Sequence, residues 1–236
     1  MKAVNLHLLT RVDDPETMSL LFQALSGRAG YKAISPHEAS SLKSLTDMLV
    51  KHLDEPFLPL LDGFFFSYVI EHIGKEFDLL KVSRDGECVL NIELKSEDIG
   101  EDRIRKQLEQ NRYYLSHSAR TIYSFTYVMD TGTLYRLSSR GHFSVCNPQD
   151  LAEVLEKPAL SDHLEDGIDR FFKASDYLIS PIASPDSFLQ GQYFLTNQQF
   201  DFRRRSSLIL NRSRPRSFHS QVLPAPARPC CFLTWQ

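Results

Sequence analysis

"GKEFDLLKVSRDGECVLNIELKS", Gly74–Ser96, decides how the chain is read. Apolar and polar residues alternate on both sides of Ser83-Arg84-Asp85-Gly86, and an Asp-Gly tip between alternating runs is a hairpin signal. Strands are expected over Glu76–Val82 and Glu87–Lys95. Side chains alternate across a strand, so Glu76 and Asp78 share one face of the first and Glu93 and Lys95 one face of the second. The hairpin is therefore expected to gather three carboxylates and an ammonium in one patch. The alternative is a solvated edge hairpin carrying alternating charges.

Upstream, "SPHEASSLKSLTDMLVKHL" combines a capping Ser35, Pro36 in the first turn and Glu38 completing a capping box, with Leu42, Leu45, Leu49 and Leu53 at helical spacing. A helix follows. "DGFFFSYVIEHI" (Asp62–Ile73) is aromatic and β-branched and reads as a strand. Downstream, "GEDRIRKQLEQNRYYLSHS" reads as a long amphipathic helix, with Ile104, Leu108 and Leu115 on one stripe and Gln107, Gln110 and Tyr114 on a second. Thr121–Met129 and Gly132–Ser139 read as strands, and helices are expected from Pro148 to about Glu156 and over Asp162–Lys173. The order β-β-α-β-β, flanked by helices, implies an α/β fold with a mixed sheet and helices packed on it.

Carboxylates suit Mg²⁺, which takes one or two of them and keeps water and phosphate oxygens in its other positions. That donor set fits phosphodiester hydrolysis, with Lys95 able to orient water or stabilise developing charge. Glu93-Leu94-Lys95 is the only [D/E]-x-K in the chain, and it follows Asp78 by 15 positions. No G-x-S-x-G elbow occurs, and the eight histidines are scattered without metal-ligand spacing.

On these residues, "EFDLL…NIELKS…QLEQNRYYL" resembles the PD-(D/E)xK nuclease core, with its αβββαβ arrangement. "IGKEFDLL", "NIELKSE" and "QLEQNRYYL", followed by "YSFTYV" and "TLYRL", are similar to the nuclease-like N-terminal region of large bacterial proteins that continue into a superfamily 1, Schlafen-group helicase domain. The resemblance covers about Phe65 to Gln199. It implies a restriction-endonuclease-like sheet and metal-dependent cleavage of DNA, with RNA as the alternative substrate. Asp78 and Glu93 would be metal ligands together with the Leu94 carbonyl, and Glu76 an auxiliary carboxylate. Lys95 would be the catalytic lysine, and Gln107 or Gln110, with Tyr114, would support the site or contact DNA. The cofactor would be Mg²⁺, with Mn²⁺ able to replace it. An inactive nucleic-acid-binding or regulatory module, or a truncated remnant, is the competing reading.

The resemblance divides the chain into an N-terminal extension (1–60), a nuclease-like core (61–145), a helical linker (146–199) and a basic tail (200–236). Of 27 Lys and Arg and 30 Asp and Glu, the tail holds seven Arg and only Asp201, which leaves 20 basic and 29 acidic residues in 1–199. An acidic body binds polyanions poorly by charge alone, so a nucleic-acid role needs metal ions or another module. "GQYFLTNQQ" (Gly191–Gln199) resembles the lead-in to a helicase phosphate loop, but no G-x-x-x-x-G-K-[S/T] follows, so ATP binding is not expected. The tail changes style abruptly, in agreement with a lost reading frame near Gln199. No window is apolar enough to span a membrane and no signal-peptide pattern opens the chain, so a cytoplasmic setting is expected.

Overall fold

In the computed structural model, residues 1–12, 14–26, 34–70, 73–172 and 177 are described. Expectations placed on the basic tail and on the helicase-like lead-in lie outside them. Among the described residues no helix is long and apolar enough to cross a membrane.

The described residues form a mixed α/β fold built on six strands that lie in sequence order: β1 (Phe64–Val69), β2 (Glu76–Val82), β3 (Cys88–Lys95), β4 (Thr121–Val128), β5 (Thr133–Leu137) and β6 (Phe143–Cys146). All neighbours are antiparallel except β3 and β4, which run parallel because α4 (Glu101–Leu115) crosses between them. The β2–β3 turn forms where Asp-Gly places it. Gly86 adopts φ +77°, and Asp85 Oδ1 accepts from Ser83 Oγ and Glu87 N at 2.6 and 2.9 Å.

One sheet face is covered by α1 (Leu6–Leu9), α2 (Pro15–Ser26), α3 (Pro36–Val50), α5 (Pro148–Leu155) and α6 (Pro158–Ser161). Leu42, Leu45 and Leu49 of α3, Leu151 and Leu155 of α5, and Leu90, Ile92 and Phe125 of the sheet share one apolar core there. The first sixty residues therefore supply part of the same core as the strands. The α3 start carries the expected reciprocal cap, Glu38 N donating to Ser35 Oγ at 3.2 Å and Ser35 N to Glu38 Oε2 at 2.8 Å. Helices α4 and α7 (Ile168–Phe171) cover the opposite face, over two smaller apolar clusters.

Three elements differ from the expectation. The strand read over Asp62–Ile73 stops at Val69, because Ile70 turns back and its carbonyl accepts from Gly74 N at 3.0 Å. The helix expected over Asp162–Lys173 is only the four-residue α7. Residues 162–165 instead use their backbone on neighbours: Arg84 N donates to Asp162 O, Leu164 N to Val82 O and Ala3 N to Glu165 O, at 2.8–2.9 Å. Groups committed to those bonds cannot close helical turns. Strand β6 was not expected, its four residues being too short to show a period.

Gly63, just before β1, has φ +81°, and a Cβ there would run into the His163 ring. The half-buried imidazole can swing away, but the left-handed backbone remains unfavourable for any L side chain. Gly63→Ala is expected to destabilise the fold by about 1–2 kcal/mol from the backbone alone, visible as a fall of several degrees in Tm. An unchanged Tm would refute it.

Candidate active site

The site is created by a change of face within β1 and β2. Phe64 and Phe66 of β1 and Leu79 of β2 belong to the α3-side core. Phe65 and Tyr68 of β1 and Phe77 and Leu80 of β2 belong to the α4-side core. In an undisturbed strand Phe66 and Tyr68 would share a face, as would Phe77 and Leu79. Both pairs are split, and the residues between them are Ser67 and Asp78, where the β1–β2 register is interrupted between Phe66↔Leu79 and Tyr68↔Phe77. Ser67 adopts φ +51°, a conformation few non-glycine residues take and one that recurs at functional sites.

The switch redirects Asp78. The β2–β3 ladder ends at Leu79↔Ile92, so Asp78 and Glu93 are not ladder partners. The Asp78 side chain reaches across the parted strands, where its Oδ2 accepts from Leu94 N at 2.8 Å. The N–H and C=O of a strand residue point to the same side, so the Leu94 carbonyl also turns toward the opened β2 edge. Glu76 makes no hydrogen bond or ion pair to the other site residues among the described residues, although its charge adds to the rise of Asp78. It lies beyond the face switch, exposed, with Oε1 accepting from Ser67 Oγ at 2.6 Å. The expectation that Glu76 and Asp78 share a face fails because the strand rotates between them.

Glu93 is 1% exposed, which rules out the solvated hairpin. Each of its oxygens takes an amide N–H from α4: Gln107 Nε2 donates to Oε2, and Asn111 Nδ2 donates to Oε1 at 2.6 Å. The i, i+4 spacing of Gln107 and Asn111 puts both amides on the same helix flank. Lys95 Nζ stands between the acids, 3.9 Å from Asp78 Oδ2 and 3.8 Å from Glu93 Oε2. Burial and the neighbouring Glu93 push the Asp78 carboxyl up to about 8, against the opposing pull of Lys95 and of the Leu94 N–H. Lys75, half-buried just before β2, lies in the same field. Burial pulls its ammonium down, while Glu93 and Asp78 pull it up.

Two carboxylates, one resisting ionisation because it is buried and because the other is near, form a site that an added cation would relieve. Among the described residues no three His, Cys, Asp or Glu side chains converge as a metal site. Mg²⁺ needs fewer, and two carboxylates with a strand carbonyl suit its preference for oxygen ligands. Asp78, Glu93 and Leu94 fit the ion.

Of the other expected residues, Gln107 reaches the acids. Gln110, half-buried, makes no hydrogen bond to them among the described residues. Tyr114 is 4% exposed and packs against Tyr113 and Tyr177 at 5.4 and 5.7 Å between ring centroids, in the apolar core. Asn111 and Lys75 were not anticipated. The signal for Asn111 was available, since a polar residue one turn beyond Gln107 lies on the flank that faces the strands. Gln107→Ala is expected to destabilise the fold by about 1–3 kcal/mol in denaturant titration, because a buried Glu93 oxygen loses its amide partner, with Gln110→Ala near wild type. Equal losses in both variants would contradict this placement.

No family model matches the chain, and neither a curated protein nor a solved structure matches it.

Proposed function

We propose that this chain is a divalent-metal-dependent nuclease module of the PD-(D/E)xK type that hydrolyses phosphodiester bonds in DNA. The observation that carries the reading is the convergence of Asp78 and Glu93 on Lys95 at the parted ends of β2 and β3. The order α3, β1–β3, α4, β4, with β3 and β4 parallel, agrees with the restriction-endonuclease-like arrangement. The helicase partnership rests only on the similarity of the Gly191–Gln199 segment and on the motifs upstream of it.

Asp78, Glu93 and the Leu94 carbonyl would hold Mg²⁺ or Mn²⁺. The ion supplies Lewis-acid chemistry, easing ionisation of the attacking water and offsetting charge on the phosphoryl oxygens. Gln107 and Asn111 fix the orientation of the Glu93 carboxylate, so that it does not reorganise when charge develops. The Lys95 ammonium, held between the acids, stands where negative charge builds on the phosphate. Leu94 N holds Asp78 from behind. Each role belongs to a group within hydrogen-bonding or ion-pair range of the two carboxylates.

The test is cleavage of labelled single- and double-stranded DNA, with RNA of matching sequence alongside, in Mg²⁺ and in EDTA. Metal-dependent cutting of DNA is expected. Cutting that persists in EDTA, or none with any polynucleotide in Mg²⁺ or Mn²⁺, would remove the proposal.

A further inference from the structure

A polar band runs between α4 and the strands beneath it. At one end of the helix Leu115 packs with Val89 and Ile122; at the other, Ile104 and Leu108 pack with Val128 in a separate cluster. Between the two lie Asn91 beside Ser124 and Glu93 beside Thr126, each pair in register across the parallel β3–β4 ladder. Asn111 reaches Glu93 from α4 above. Asn91 and Asn111 are 0% exposed, and Ser124 and Thr126 are 1%. Among the described residues, Asn91 Oδ1 and Nδ2, Asn111 Oδ1, Ser124 Oγ and Thr126 Oγ1 have no hydrogen-bond partner.

Flipping the amides does not remove the deficit. Flipping the Asn111 amide would turn its oxygen onto the Glu93 carboxylate, and flipping Asn91 exchanges one unmet atom for another. Each such group left dry would lower the folding equilibrium constant roughly five- to a hundredfold. The set mixes an N–H donor, Asn91 Nδ2, with amide and hydroxyl oxygens. A buried monovalent cation would serve the oxygens and repel that donor, whereas water donates and accepts.

The geometry points to an internal hydration site in this band: ordered water, about two molecules at roughly three hydrogen bonds each, bridging Asn91, Ser124 and Thr126 to Asn111 Oδ1. Tied at its oxygen, the Asn111 amide keeps its Nδ2 on Glu93. Asn111 is thus a positioning residue, and its link to catalysis rests on the nuclease reading; the hydration site itself does not.

A high-resolution crystal structure of the full chain tests it directly. Ordered density within hydrogen-bonding distance of Asn91 and Ser124 is expected. A band without it, or one closed by direct bonds among the four side chains, would overturn the inference. Thr126→Val provides a second measurement, since it removes the hydroxyl at nearly constant shape. A hydrated band predicts about a fivefold fall in the folding equilibrium constant in chemical denaturation. A constant that rises or stays level marks a dry band and sinks the idea. Neither measurement uses cleavage, so an inactive wild-type protein would refute the nuclease reading and leave this one standing.

Discussion

Lys95→Ala should lower DNA cleavage about 10²–10³-fold while leaving the protein able to bind Mg²⁺, the magnitude being that of removing one preorganised stabiliser of developing charge. The ammonium lies within 4 Å of both acids, so its loss removes the positive charge nearest to them. That raises the attraction for a divalent cation, and metal affinity measured by calorimetry should hold or increase. Glu93→Gln should do the opposite, losing affinity and turnover together, because the neutral amide is a poorer Mg²⁺ ligand. The two variants therefore separate holding the ion from using it. Wild-type cutting by the Lys95→Ala protein at saturating Mg²⁺ would remove lysine from the mechanism. Metal affinity unchanged in Glu93→Gln would remove Glu93 as a ligand.

The hairpin, its turn and the long helix were legible because their signals are local: an Asp-Gly tip, a period of two, a period of 3.6. Glu93 and Lys95 followed from that period, and the strand they share places them together as expected. Asp78 reaches the same site by a different route. Period-two counting put it beside Glu76, whereas the structure throws it across to Leu94 N and leaves Glu76 outside. The cause is a left-handed Ser67 on the neighbouring strand, and nothing in a serine announces that backbone conformation. The choice between Gln107 and Gln110 also depended on which helix flank meets the strands, a matter of packing. Tyr114 joined the Gln stripe by spacing but faces apolar neighbours, so its ring serves the core. The polar band was hidden for a related reason. Asn91, Ser124 and Thr126 read as ordinary polar positions of strands, and only the covering helix makes them buried.

Asp78→Asn is expected to stabilise the metal-free protein above neutral pH while abolishing cleavage. The Asp78 carboxyl is raised from 3.8 to about 8, burial being the largest cause and Glu93 the next. Between those values the unfolded chain has released this proton and the folded chain keeps it. The folded state therefore binds more protons, and stability must fall as pH rises through the window from about 4 to about 8. One proton sets a limit of about 1.4 kcal/mol per pH unit, and the 26% exposure of the Asp78 side chain narrows the window over which it acts. Asparagine keeps an oxygen to accept from Leu94 N and removes the charge, so the slope contributed by this position should vanish, leaving the variant more stable than wild type at pH 8 by denaturant titration. Saturating Mg²⁺ should flatten the wild-type profile as well, since a bound cation favours the ionised carboxylate, and should leave the variant's profile unmoved. An Asp78→Asn protein that matched the metal-free wild type at every pH would show that Asp78 ionises freely, and the argument that the cleft carries an uncompensated carboxylate would fail with it.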